Sequence, residues 1–161
     1  MATPTIIIGI GTSGLMALEN AQRYYQETTK SKVPDHIAMI FLETNESKNV
    51  GITYYENSIT RVFLSLYQMD RMVNRLRKSK VSTQKWLPSA AQVVGVGMGA
   101  GGIRPCGRLS LWGSNDNKDN FSDVLQSIRN GYQKISNVNI EGSTTNKRPV
   151  VIITGSMTGG T

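Results

Sequence analysis

Three short runs of β-branched and aliphatic residues stand out from an otherwise mixed chain: Thr5–Ile10, Ile37–Leu42 and Val150–Thr154. None alternates with polar residues, so each predicts a strand buried on both faces, as in a parallel sheet. Between the first two, Leu15–Thr29 sets Leu15, Leu18 and Ala21 at helical spacing without a Gly or Pro, which predicts a helix. Lys30–Asp35 is a linker, and Pro34 closes the helix off. Strand, helix and strand make a βαβ unit with a right-handed crossover. Farther on, Val62, Leu66, Met69, Val73 and Leu76 form an apolar stripe that predicts a helix over Arg61–Lys78, with Arg71, Arg75 and Lys78 on another face. Residues 79–92 read as irregular, with Trp86-Leu87-Pro88 packed down on the domain, and Gly107–Trp112 opens a further helix. Asp116–Asn120 reads as polar loop, Phe121–Ile135 as a helix with Asp123 favouring its dipole, and Asn137–Pro149 as turn-rich. The expected fold class is α/β, a parallel Rossmann-like sheet forming one domain over residues 1–161.

Three glycine-rich loops each follow an apolar stretch. The loops are Gly9-Ile10-Gly11-Thr12-Ser13-Gly14, Gly97-Met98-Gly99-Ala100-Gly101-Gly102 and Gly155-Ser156-Met157-Thr158-Gly159-Gly160-Thr161. Glycine after a buried strand lets backbone N–H groups approach a ligand closely, most often a phosphate. The first loop, between a strand and a helix, has the spacing and context of a dinucleotide fingerprint. That fingerprint also expects an acidic residue at the end of the second strand. Glu43 stands at such an end, though farther along than usual. An NAD(P)-dependent oxidoreductase is therefore one reading of this loop, and a plain strand-to-helix turn is another. Neither explains the other two glycine loops.

Composition narrows the classes. At 39% hydrophobic and 18% charged residues the chain has the makeup of a soluble globular domain. Cys106 is the single cysteine, which excludes an internal disulfide and a cysteine-based zinc site, and His36 the single histidine; nothing around them supports Ser/His/Asp or Cys/His nucleophilic catalysis. No Gly-x-x-x-x-Gly-Lys-Ser/Thr pattern occurs, which argues against a P-loop NTPase. Asp116, Asp119 and Asp123 fit no EF-hand spacing. No run approaches a membrane span, and Ile6-Ile7-Ile8 is too short for a signal-peptide core, so the expected location is cytoplasmic. Most of the net charge of +7 comes from residues 61–85, with seven Lys/Arg against the lone Asp70. Charge confined to one helix face is ordinarily a solvated face, so nucleic acid is not the expected partner.

The three loops, in this order, resemble those of the tubulin/FtsZ superfamily. Thr154–Thr161 resembles the signature Gly-Gly-Gly-Thr-Gly-Ser/Thr-Gly, ending after its threonine. The middle loop with its downstream Gly107-Arg108 resembles the Gly-Leu-Gly-Ala-Gly stretch and Gly-Arg of FtsZ. Leu42-Glu43-Thr44-Asn45 stands where the superfamily has Asn-Thr-Asp. Arg104-Pro105-Cys106-Gly107-Arg108 and Trp86-Leu87-Pro88 are more similar to divergent bacterial tubulin-like proteins.

The resemblance implies GTP with Mg²⁺ bound across the strand ends. Gly11, Thr12, Ser13 and Gly14 would cradle the α/β-phosphates, and Gly99, Ala100, Gly101 and Gly102 would lie near the γ-phosphate. Thr158, Gly159, Gly160 and Thr161 would grip from the third side. It also implies nucleotide-dependent self-association and a cytoskeletal class of protein. There are departures. Met16 stands where FtsZ has a nucleotide-contacting asparagine, Thr158 replaces a signature glycine, and Arg104 replaces a proline, as a γ-phosphate clamp or a surface residue. A domain that keeps the fold and has lost nucleotide binding is a third reading. The acidic loop that triggers hydrolysis in the superfamily follows the signature, so the expectation is an incomplete domain without appreciable GTPase activity of its own.

Overall fold

A computed structural model describes residues 3–30, 32–44, 58–64, 73, 74, 78, 104–111, 114–115, 118–138 and 148–156. Its centre is the predicted βαβ unit: β1 (Thr5–Ile10), α1 (Gly11–Thr29) and β2 (Ile37–Glu43). β3 (Ile59–Phe63) follows, then α2 (Arg104–Ser110), the two-residue strands β4 (Ser114–Asn115) and β5 (Lys118–Asp119), α3 (Asn120–Ser136) and β6 (Val150–Gly155). Four strands form one wholly parallel sheet in the order β3-β2-β1-β6. The fold is α/β, as the unbroken apolar runs predict.

Side chains alternate across the sheet and separate two cores. On one face Ile6, Ile8, Ala38, Ile40, Leu42, Val62 and Leu64 pack with Val124 and Ile135 of α3. On the other, Ile37, Met39, Phe41 and Ile59 pack with Leu15 and Leu18 of α1. The two helices thus cover opposite faces, and every residue of β2 is buried. α1 ends at Lys30, whose left-handed φ of 51° lets its N–H bond the Gln26 carbonyl at 2.8 Å.

Several expectations need correction. Arg61–Phe63 is not helical: it belongs to β3. Ile59 and Val62 enter opposite cores, as an odd separation in a strand requires, whereas in a helix residues three apart share a face. Val62 fits both periods, so the apolar stripe in the sequence runs back to it. Val73, Asn74 and Lys78 are helical, with Val73 buried and Lys78 exposed, while Arg71 and Arg75 lie outside the described residues. α2 begins three residues before Gly107, since Pro105 is tolerated in a first helical turn. Within the expected polar loop, Lys118–Asp119 pairs antiparallel with Ser114–Asn115, and Asn120 already belongs to α3.

The largest correction concerns β6. It pairs with β1 where the apolar run predicts a strand, but it is not buried: Val150, Val151, Ile152 and Ile153 are 46–67% exposed. α3 packs over β1, β2 and β3, and α1, although it reaches β6, leaves these side chains exposed; among the described residues nothing pairs with the outer edge of β6.

Candidate functional site

In an open parallel sheet, ligands bind beyond the carboxyl ends of the strands, at the point where strand order reverses. Here the chain builds outward from β1 to β2 and β3, then returns to place β6 on the free side of β1. The reversal lies between β1 and β6. Both strands end there in register, Gly9 opposite Thr154 and Ile10 opposite Gly155. The first and third glycine loops therefore leave the sheet side by side.

Glycine is required here for two different reasons. Gly11 opens α1 with φ of 65°, a conformation that side-chain-bearing residues rarely adopt. Gly9 and Gly14 are needed for close approach. A Cβ on Gly14 would lie 2.6 Å from the Gly9 carbonyl carbon and 2.9 Å from the Thr154 carbonyl oxygen. A Cβ on Gly9 would lie 2.7 Å from both the Gly14 oxygen and Leu18 Cδ1. A Cβ on Gly155 would lie 2.9 Å from the Ile10 oxygen. The first turn of α1 is thus wedged against both β1 and β6.

That wedge sets the electrostatics. α1 is preceded by Ile10, which offers no capping side chain, and its first turn carries no acidic residue. The start of a 19-residue helix, with its partial positive charge, faces the crevice without a carboxylate of its own. Thr12 and Ser13 are exposed there, between the buried Gly11 and Gly14. Backbone N–H groups with two hydroxyls suit an anion with several oxygens. Met16, one turn on, is 57% exposed.

At the end of β2, Glu43 is buried and its Oε1 accepts the Thr44 N–H at 2.7 Å. Its carbonyl accepts the Leu64 N–H at 2.8 Å, which ties β2 to the end of β3. The burial of Thr44, at 1% exposure, had no signal in the hydropathy pattern. The packing roles of Gly9 and Gly155 were legible only as loop glycines.

The structure brings together Gly11, Thr12, Ser13 and Gly14 with the start of the third loop. Arg104 is the first residue of α2. Gly99, Ala100, Gly101, Gly102, Thr158, Gly159, Gly160 and Thr161 lie outside the described residues. Among the described residues no group of His, Cys, Asp or Glu could hold a metal ion on its own. No helix among them is long and apolar enough to cross a membrane.

The model of the family described as "Tubulin like" matches residues 6–161. The chain belongs to the tubulin-like family. No curated protein and no solved structure gives a match. Tubulin-like proteins as a family bind guanine nucleotides and self-associate. The match runs from within β1 through the whole third glycine loop, so all three loops fall inside it.

Proposed function

We propose that this tubulin-like chain binds GTP at the crevice between β1 and β6, within a single nucleotide-binding domain, and that nucleotide binding drives its self-association. The observation that carries the reading is the side-by-side exit of the first and third glycine loops at the reversal of strand order. Gly11, Thr12, Ser13 and Gly14 hold the α/β-phosphates through N–H groups and hydroxyls. Gly99, Ala100, Gly101, Gly102 and Arg104 meet the γ-phosphate, and Thr158, Gly159, Gly160 and Thr161 close the third side.

The residues fit such a group: the uncapped start of α1 and its exposed hydroxyls offer donors where phosphate oxygens need them. Mg²⁺ commonly binds through phosphate oxygens, waters and one or two protein oxygens, so a preformed carboxylate cage is not required. The ion would neutralise phosphate charge, while the chain's own part is to orient the tail. We assign no hydrolytic residue. The setting is that of a bacterial cytoplasmic cytoskeletal protein.

Thermal unfolding with GTP·Mg²⁺ and with NAD tests the assignment. Ligand at about 100 times its Kd adds about 2.7 kcal/mol, a rise of roughly 5–10 °C in Tm for a chain of this size. Protection by NAD and not by GTP·Mg²⁺ would transfer the site to a dinucleotide enzyme. Protection by neither would leave a fold without nucleotide binding.

A further inference from the structure

We propose that the β6 side of the domain binds a second copy of this chain, the two β6 edges pairing antiparallel about a two-fold axis into one eight-stranded sheet. This contact is separate from the crevice and forms without nucleotide.

The edge is open and able to pair. Val150 N–H donates to the Pro4 carbonyl, next to β1, at 2.9 Å. In a parallel strand the N–H and C=O of one residue point to the same side, and successive residues alternate. Val150, Ile152 and Thr154 therefore face β1, while Val151, Ile153 and Gly155 turn their main-chain groups outward. Among the described residues nothing pairs with them. Sheet edges in natural proteins are blunted by charge, proline or a bulge. β3, at the other edge, exposes Thr60 and Arg61. Val150–Gly155 contains no charged residue and no proline.

The faces are as apolar as the edge. Val151 and Ile153 lie opposite Ile6 and Ile8 on the α3 face, and Val150 and Ile152 lie opposite Thr5 and Ile7 on the α1 face. All four are exposed, Ile153 the most. Gly14, at the Thr154 carbonyl, marks the flank of α1 that faces β6. Ala17, Ala21 and Tyr24 continue that flank at helical spacing, whereas Glu19, Arg23 and Glu27 fall on the opposite one. Tyr24 is exposed.

A second copy fits this surface in spacing and in size. α1 packs over β1 and reaches both neighbouring strands. Paired β6 edges would set two such helices three strand spacings apart, about 14 Å. A helix with its side chains is about 10–12 Å across, and a Tyr24 from each copy closes the remainder. With the four β6 side chains, each copy covers on the order of 600 Å², or about 1,200 Å² for the pair, the lower limit of specific interfaces. A two-fold axis closes the assembly at two copies and uses both open edges.

Sedimentation velocity on the nucleotide-free chain tests this. Over about 1–100 μM it should show a reversible monomer–dimer equilibrium, as expected of an interface this small. Val151→Pro removes an outward N–H and leaves those facing β1, and the two-fold axis doubles the loss. The dimer should weaken by at least about tenfold. Ile153→Lys, which puts two like charges into the apolar contact, should do the same, and its exposed site keeps the test open if the proline variant fails to fold. Thr60→Lys, at the opposite edge, should leave association unchanged. A wild-type chain that stays monomeric, or one that grows past the dimer, overturns the proposal. So does a dimer that resists both β6 variants, or one that Thr60→Lys weakens equally. A dimer that forms only with GTP·Mg²⁺ overturns this contact and supports nucleotide-driven association instead. A chain that binds no nucleotide refutes the GTP reading and leaves this test intact.

Discussion

Replacing Gly14 by alanine sets two physical effects of opposite sign against each other. Alanine is the better helix former by about 1 kcal/mol, and Gly14 lies in the first turn of α1, so propensity alone predicts a more stable protein. The added Cβ, however, would lie 2.6 Å and 2.8 Å from the carbonyl carbon and Cα of Gly9, and 2.9 Å from the Thr154 oxygen. Carbon atoms in good contact are about 3.5–4.0 Å apart, so α1 must lift by roughly 1 Å or the β1/β6 pair must part. All three atoms are main chain in paired strands, which places the cost at the upper end of overpacking, about 3 kcal/mol. The net expectation is a loss of about 2 kcal/mol, or roughly 4–8 °C in Tm for a chain of this length. Urea or thermal unfolding followed by circular dichroism measures it. Gly131→Ala is the control. It is also helical, but its Cβ would meet only side-chain atoms, Ala38 Cβ at 3.3 Å and Ile40 Cδ1 at 3.6 Å. It should leave stability within about 1 kcal/mol of wild type. If Gly14→Ala proves as stable as Gly131→Ala, the wedge between the first loop and both strands is wrong.

Two further outcomes follow from the described residues. Lys30→Gly should raise stability by about 0.5–1 kcal/mol, because the left-handed backbone at the end of α1 strains lysine and not glycine; a loss in chemical denaturation would contradict this. The double change Val151→Thr and Ile153→Thr, on the exposed β6, should lower dye binding to apolar surface and concentration-dependent association while costing less than about 1 kcal/mol. A loss above about 3 kcal/mol would mean that these side chains are buried in solution.

The fold was legible where periodicity admitted one answer. Thr5–Ile10 is β1 residue for residue, and Phe121–Ile135 is α3 to within one residue at each end. α1 starts four residues before its predicted boundary, because Gly11, Thr12, Ser13 and Gly14 have poor helical propensity and are held helical by the wedge. Arg61–Phe63 failed for another reason. Val62 sits at a position where strand and helix patterns overlap, and only the separation of Ile59 and Val62 into opposite cores distinguishes them. The exposure of β6 was invisible in principle. An apolar run reports what a strand is suited to bury, whereas burial depends on which elements lie above and below it.

The candidate site was legible to a different depth. Glycine spacing identifies three loops able to approach a phosphate, but it cannot say which of them meet. That depends on strand order, through a simple distance. Neighbouring strands lie about 4.8 Å apart, so loops leaving β1 and β6 start within one spacing of each other. Had β6 joined the outer edge of β3, the two loops would begin three spacings apart, about 14 Å, and no single phosphate tail would touch both start points. The first strand takes an inner position with β6 on its free side, and the reversal that results is what makes the crevice. Gly14 then gives that adjacency a mechanical consequence. Because its missing Cβ lets α1 touch both Gly9 and the Thr154 carbonyl, a shift in the main chain leading into the third loop must be felt at the start of α1. The N–H groups proposed to hold the α/β-phosphates and the strand end that carries the third loop are therefore parts of one packed unit, and neither can be repositioned alone.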